Sequence, residues 1–472
     1  MRTLGLFLMG SWVDGEGSIT VRAPLDGMPV ARVARAGERT LRSAIEGAAA
    51  ARAAVASLPL HARAAILEAA AAEVAKRRDE FARLVVEEAG KPVQLARIEA
   101  DRCAETMLEA ARVARSMRGE MLDLSAFPSG ASSTGLVRRF PVGVVVGITP
   151  FNFPLNLVAH KLGPAVAAGC PIIIKPASQT PSPALKLAEI LHRAGLPPGG
   201  VSVVPCSGSE VGVLLQDPRV AMLSFTGSAE VGWQLKQQLW DRKVTLELGG
   251  NAAVIVEPDA GNLTAVARRI AVGAFSYAGQ SCISVQRVLV HAAVAADLRT
   301  ALVEAAQNFP TGDPALPETL CGPMVSPIDA DRIESWVRAA ERRGARCLLP
   351  WRRDGSVVGP NLLEAVPVDD PVWSREVFAP VAAISSYTMF EQALTMVNDS
   401  VYGLQAGLFT RDVEKIQRAF ETLEVGGLIQ GDVPSWRTDP MPYGGVKRSG
   451  VGREGPRYAV EEMTEPRLLV LR

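Results

Sequence analysis

Between residues 142 and 250 the chain alternates apolar strand patterns with amphipathic helical ones, and nothing else restricts the possible fold so strongly. The strand run Val142-Gly-Val-Val-Val-Gly-Ile148 leads into Thr149-Pro-Phe-Asn-Phe-Pro154, and a helical pattern follows over residues 155–168. Strand 172–175, helix 183–194, strand 201–204, helix 210–215, strand 222–225 and strand 243–248 come next. Strands that are apolar throughout are buried on both faces, which predicts a parallel sheet covered by helices on either side. In such sheets dinucleotides bind beyond the carboxyl ends of the strands. The segment Thr226-Gly-Ser-Ala-Glu-Val-Gly232 stands at such an end, and its glycines allow close backbone approach at a helix N-terminus. It is not G-x-G-x-x-G, and alone it is a weak sign.

A second series of strands and helices covers 252–427: strands 252–256 and 285–290, helices 262–274, 292–308, 328–343 and 413–422. Within it, Phe275-Ser-Tyr-Ala-Gly-Gln-Ser-Cys282 begins as a helix, breaks at Gly279, and returns as a strand. Cys282 therefore sits at a helix–loop junction, where free backbone N–H groups favour a thiolate. A free cysteine titrates near ~8.5, so this setting is expected to supply thiolate at neutral pH. The alternative is a cysteine buried for packing alone.

The remaining segments are simpler. Residues 1–35 predict short strands with turns at Asp14-Gly15, Glu16-Gly17 and Asp26-Gly27; residues 38–118 predict helices broken at Pro59 and at Gly90-Lys91-Pro92. Residues 120–137 lose helical period and suggest a linker or projecting hairpin, and 463–471 predict a terminal strand. At 472 residues, two or three domains are expected. Fifty basic and fifty acidic side chains balance, which disfavours nucleic acid as a partner. The early apolar run 4–9 is too short for a signal sequence or membrane span. Six cysteines without C-x-x-C suit reduced thiols in a cytoplasmic protein, and four histidines without ligand spacing argue against a metal site and a His-based triad.

Three further residues have chemistry to offer. Glu247, in Glu247-Leu-Gly-Gly250, ends an apolar strand, where desolvation raises a carboxyl towards general-base range. Asn152 lies in a proline-bracketed loop, a rigid place for an amide donor. Glu376-Val-Phe-Ala-Pro380 offers a carboxylate and an aromatic ring in one loop. Taken singly, these are a salt-bridge partner, a helix cap and core.

Together with Lys175-Pro-Ala177, Phe225-Thr-Gly-Ser228, Gly279-Gln-Ser-Cys282 and Pro442-Tyr-Gly-Gly-Val-Lys-Arg-Ser-Gly450, these motifs resemble the aldehyde dehydrogenase superfamily, in its order and over essentially the whole chain. Gln280-Ser-Cys282-Ile-Ser-Val-Gln-Arg, His160-Lys161 and Met441-Pro-Tyr resemble most the branch that oxidises lactaldehyde, glyceraldehyde 3-phosphate without phosphorylation, and phosphonoacetaldehyde. The resemblance implies an α/β fold: a dinucleotide-binding domain (1–119 and 138–248), a catalytic α/β domain (249–436), and a β bridging element (120–137 and 455–472) that pairs across subunits of a homodimer or homotetramer. It implies Cys282 as nucleophile and Asn152 as oxyanion donor with the Cys282 backbone N–H. Glu247 would then activate the water that hydrolyses a thioester. Lys175 and Glu376 would hold the riboses of NAD or NADP, Phe378 would pack near the nicotinamide, and Gly227 and Ser228 would meet the pyrophosphate. Thr149, Pro150, Phe151, Thr226, Val231 and Leu248 would complete the cofactor site. Phe153, Ser281, Ile283 and Tyr443 would line the path of a small aldehyde.

Ser178 departs from many NAD-preferring members, which have glutamate there; a serine does not repel a 2′-phosphate, so NADP is admitted. Arg102 and Arg437 are expected to clamp an anionic group of the substrate. Ser281 stands where glyceraldehyde-3-phosphate members place an arginine, which favours a smaller anion. Two other readings remain at this point: an acylating enzyme that passes the thioester to coenzyme A, disfavoured by Glu247, and a catalytically silent cofactor-binding protein.

Overall fold

The computed structural model describes all 472 residues. Its first large sheet has eight strands, in the order Gly450–Val451, Lys243–Glu247, Val220–Thr226, Val144–Ile148, Ile172–Lys175, Val201–Val203, Leu6–Leu8, Ser11–Val13. The central five run parallel, and antiparallel strands close both edges. Numbered along the chain, those five take the order 5-4-1-2-3, so the direction of winding reverses between Val144–Ile148 and Val220–Thr226. At that reversal the loops after the two strands diverge and leave a crevice. Valine and isoleucine dominate these strands because helices cover both faces: Asn156–Ala168, buried along its whole length, lies on one side, and Glu38–Ala56 packs with the core on the other.

The second large sheet has seven strands, with Arg287–His291 at its centre and Ala253–Val256 next to it, between Arg287–His291 and Gln405–Phe409. Six are parallel, and only Arg346–Cys347 at one edge runs antiparallel. The two sheets therefore repeat one architecture, and both present the carboxyl ends of their strands as loop-bearing edges.

A third sheet of three antiparallel strands consists of Glu120–Asp123, Thr134–Pro141 and Thr464–Leu471. The terminal strand pairs along its whole length with Thr134–Pro141 of the same chain. Its outer edge is unpaired, and Leu468, Leu469 and Leu471 are exposed on it.

Two features differ from the sequence reading. The helical region breaks once more, at Arg77, between Leu60–Lys76 and Arg78–Ala89, with no proline or glycine to mark the place. Pro456–Glu462 is a helix inside the range assigned to the bridging element. Leu6–Leu8 and Ser11–Val13 belong to the first sheet, where they cover the exposed edge of Val201–Val203. No helix is long and apolar enough to cross a membrane.

Candidate active site

The helix Leu263–Phe275 ends where three successive residues, Tyr277 (φ 53°), Ala278 (φ 54°) and Gly279 (φ 65°), adopt left-handed backbone conformations. Two of the three carry a Cβ, so this turn stores strain of the kind found at functional sites. Gly279 has no substitute: a Cβ there would lie 2.2 Å from the Ala379 carbonyl oxygen. The Gln280 side chain, which the sequence reading did not single out, holds the turn. Its amide donates to the Tyr277 and Pro323 carbonyls at 3.2 Å each and accepts from the Val325 N–H at 2.8 Å. Cys282 emerges from this turn with a backbone N–H that no protein group accepts.

The Asn152 loop is fixed from beneath. Buried Glu99 accepts the N–H groups of Leu155 and Asn156 at 2.9 and 3.1 Å, capping the helix that follows, and pairs with buried Lys91. The Lys91 ammonium lies 3.6 Å from the centre of the Phe153 ring. Asn152 donates from Nδ2 to the Gln280 carbonyl at 3.0 Å, which ties its loop to the nucleophile's loop and leaves a second N–H on the same nitrogen. The two donors expected for an oxyanion, this amide and the Cys282 N–H, are thus both uncommitted.

Glu247 ends its strand 3% exposed, and neither carboxylate oxygen has a hydrogen-bond partner. Burial, then the negative charge of Glu454, raises its carboxyl well above the ordinary range, against the opposing pull of Arg437, Lys161 and Arg453. Glu454 is the contrasting case. Lys161 donates to it at 3.1 Å, as does the Thr226 hydroxyl, and it is held down to about 2, Lys161 being the largest of the attractions that overcome its burial. One carboxyl is poised to take a proton, and the other stays ionised.

Cys282 differs from expectation. The helix–loop junction does not yield a ready thiolate: burial pushes the thiol up to about 12, and the hydrogen bond with Tyr443 only partly offsets this. The residue is partly exposed and lines the cavity of the site, and the Tyr443 hydroxyl lies 2.8 Å from Sγ.

A cavity of about 550 Å³ joins these groups. Of the expected cofactor residues, Pro150, Phe151, Thr226, Gly227, Ser228, Leu248, Glu376 and Phe378 line it, as do Phe153, Ser281, Ile283 and Tyr443 of the expected substrate residues. The helix Pro327–Arg342 adds Asp329, Arg332 and Trp336, which no motif announced. Thr149, Lys175, Ser178 and Val231 stand outside it.

The residues present fit a nicotinamide dinucleotide. Ser228 caps the helix Ala229–Gln238, and Gly227 before it has no room for a Cβ, which would meet the Phe225 ring at 2.7 Å. Gly250 donates to Glu376 at 3.1 Å, and the other carboxylate oxygen stays within 2.2 Å of where a Cβ on Gly249 would fall. Burial pushes the Glu376 carboxyl up to about 7. Phe378, held at φ 49°, meets Phe151 edge to face at 5.9 Å. Lys175 has no carboxylate within ion-pair distance, and Ser178 makes no hydrogen bond, so both have polar capacity left for a ligand. The Thr149 hydroxyl is buried and unpartnered.

The two expected clamp arginines are not free ends in the cavity. Arg102 engages Asp439 through Nε at 3.0 Å and Nη2 at 2.7 Å, and Asp439 also accepts from Asn156 and meets His160 at 2.8 Å. Arg437 is buried, with its guanidinium carbon 3.6 Å from the centre of the Tyr443 ring and Nη2 3.7 Å from Glu454. Neither arginine lines the cavity: the Asp439 carboxylate holds Arg102 beside it, and Arg437, whose Nη2 also lies 3.2 Å from His160, is buried down to its unpartnered Nε.

A profile of the aldehyde dehydrogenase family matches residues 12–469. The 3-sulfolactaldehyde dehydrogenase of Priestia aryabhattai is 41% identical over 472 residues, covering 100% of this chain and 98% of that protein. An aldehyde dehydrogenase of Physcomitrella patens, solved with its reaction product succinate, superposes with a TM-score of 0.98 at 39% identity, over 100% of this chain and 98% of its own. The NADP-dependent glyceraldehyde-3-phosphate dehydrogenase of Bacillus halodurans, solved with NADP, does so with a TM-score of 0.96 at 32% identity over 100% of both chains.

Proposed function

The chain belongs to the aldehyde dehydrogenase family and is an NAD(P)-dependent aldehyde oxidoreductase, and on that premise we propose a short aldehyde bearing an anionic group as its substrate. The observation that carries the catalytic assignment is one cavity holding a thiol beside a buried carboxyl with both oxygens unpartnered. Cys282 attacks the aldehyde carbon, and the second N–H of Asn152 and the Cys282 N–H hold the oxygen that gains charge. The nicotinamide ring, when bound, supplies the acceptor for the hydride. The thioester then left on Cys282 is cleaved by water whose proton Glu247 takes, which makes coenzyme A unnecessary. Lys175, Glu376, Gly227 and Ser228 are the groups that hold the dinucleotide. Ser178, with no carboxylate to oppose a 2′-phosphate, favours NADP.

Arg102 and Arg437 are the cations proposed for the anionic end. The three relatives described act on, or were solved with, a sulfonate-, carboxylate- or phosphate-bearing compound, in keeping with such an end. Each charge-assisted contact contributes ~1.5–3 kcal/mol, or roughly 10- to 150-fold in kcat/KM. Arg102→Leu is the test, because Arg437 also touches Tyr443. The variant is compared with the parent on a short carboxylate- or sulfonate-bearing aldehyde and on propanal. A loss confined to the anionic aldehyde supports the clamp, and an equal effect on both removes it.

The third sheet is the proposed contact between subunits of a homodimer or homotetramer. Met121, Phe127 and Leu468 to Leu471 are exposed on and beside its two outer strands, whose edges are unpaired. The expected compartment is the cytoplasm, in keeping with six free cysteines.

A further inference from the structure

Tyr443 is 3% exposed, packs against Ile283 and Leu404, and is fixed by backbone hydrogen bonds in both directions with Glu454. Its hydroxyl makes one hydrogen bond in the whole protein, and the partner is the nucleophile, Cys282 Sγ, at 2.8 Å. Sγ likewise has no other partner. On the ring face lies the Arg437 guanidinium, 3.6 Å from the centroid, buried, with its Nε unpartnered. A phenol so placed has no packing need for its oxygen, since a phenylalanine ring would fill the same space. A cation on the ring face draws electron density from the hydroxyl and makes it a stronger donor.

We propose that Tyr443 is a further catalytic residue whose hydroxyl donates a hydrogen bond to the Cys282 thiolate, and that Arg437 is a positioning residue that strengthens this donor through the ring. When the thiol loses its proton to water, the negative sulfur accepts the phenolic O–H; when the sulfur bonds to the aldehyde carbon, that hydrogen bond is released. The charged groups around the sulfur divide in keeping with this. Tyr443 and Arg437 favour the thiolate, whereas burial, Glu376 and Glu247 oppose it. Around the phenol, Arg437 is the cation, with Cys282 and Glu247 as the opposing anions and Glu454 behind it. The inference stands whether or not the substrate is anionic.

The test uses a neutral reagent and no aldehyde. Alkylation of Cys282 by iodoacetamide, read on the Cys282 peptide, is followed against pH in the parent, Tyr443→Phe, Arg437→Leu and the double variant. Tyr443→Phe is expected to move the titration midpoint to higher pH and to slow alkylation at pH 7, about tenfold for each pH unit of movement. Arg437→Leu is expected to move it the same way, and to add nothing once Tyr443 is phenylalanine. Arg437→Lys, which keeps the charge, serves if the leucine variant does not fold, and is expected to fall between parent and Tyr443→Phe. An unmoved or lowered midpoint in Tyr443→Phe overturns the proposal. An Arg437 effect of equal size with and without the phenol overturns the part played by Arg437.

Discussion

Glu247→Gln isolates the second half of the reaction. The side chain is 3% exposed, neither oxygen has a hydrogen-bond partner, and a Cβ on Gly444 would come within 2.6 Å of Oε1. An isosteric amide therefore fits without moving a neighbour and breaks no existing bond. A general base contributes ~10²–10⁴-fold to proton transfer, so hydrolysis of the thioester should slow by that factor, equivalent to ~2.7–5.4 kcal/mol in its barrier. Stopped-flow fluorescence of NAD(P)H reads both halves in one trace. The first burst should keep an amplitude near one per active site, and the steady rate after it should fall by the stated factor. In the parent the steady rate should rise with pH through a limb above the ordinary carboxyl range, because burial and Glu454 hold Glu247 protonated there; the variant should lose that limb. Stability gives an independent check. A carboxyl raised in the native state binds its proton more tightly folded than unfolded, so the parent loses stability as pH rises above ~4.3 until the native group itself ionises. The glutamine variant lacks this slope, and its advantage in denaturant midpoint should grow from pH 4.5 upwards. A lost burst, or a burst followed by undiminished turnover, would refute the role given to Glu247.

Two other substitutions probe the cofactor and the buried charges. Ser178→Glu should raise the Kd for NADP at least about tenfold while sparing NAD, since like charges ~4 Å apart near a surface repel by ~4 kcal/mol; unchanged NADP binding in fluorescence titration would take Ser178 away from the ribose. Lys161→Met takes from Glu454 its nearest cation and leaves Arg437 at 3.7 Å, and removing one partner of a buried pair costs up to ~3–5 kcal/mol in chemical denaturation. Glu454 is depressed to about 2, so it contributes stability above its unfolded value that is lost as pH falls through the native one. The gap between parent and variant should accordingly be wider at pH 8 than at pH 4, and a gap independent of pH would contradict the pairing.

Where local pattern and tertiary packing agree, the sequence was legible. The apolar strands from Val144–Ile148 to Lys243–Glu247 are buried on both faces, and that burial is what their composition records. Cys282, Asn152 and Glu247 stand out through the family motifs, and the glycines of those motifs have physical reasons here: a Cβ would meet the Ala379 carbonyl at Gly279 and the Cys282 carbonyl at Gly250. The break at Arg77 left no trace, because it lies between helices of ordinary composition. Arg332 and Trp336 reach the cavity from a helix whose other faces are ordinary, so position alone makes them relevant. Lys161 did give a signal: a cation in the apolar run 155–168 must find a partner, but that partner, Glu454, is 293 positions away. The thiol of Cys282 was misjudged for the same reason, since burial against Tyr443 and its neighbours is a property of the assembled site.

The short antiparallel strand Gly450–Val451 that covers the edge of Lys243–Glu247 also sets a timetable for biosynthesis. Residue 247 leaves the ribosome about 200 residues before residue 450, a wait of roughly 10–40 s at ~5–20 residues per second. For that interval the strand bearing Glu247 is the open rim of a growing apolar sheet, the kind of edge to which other nascent chains add. The same late segment brings Tyr443 and Glu454, so the event that closes the rim also finishes the pocket. A translating chain is thus most prone to association just before it becomes an enzyme.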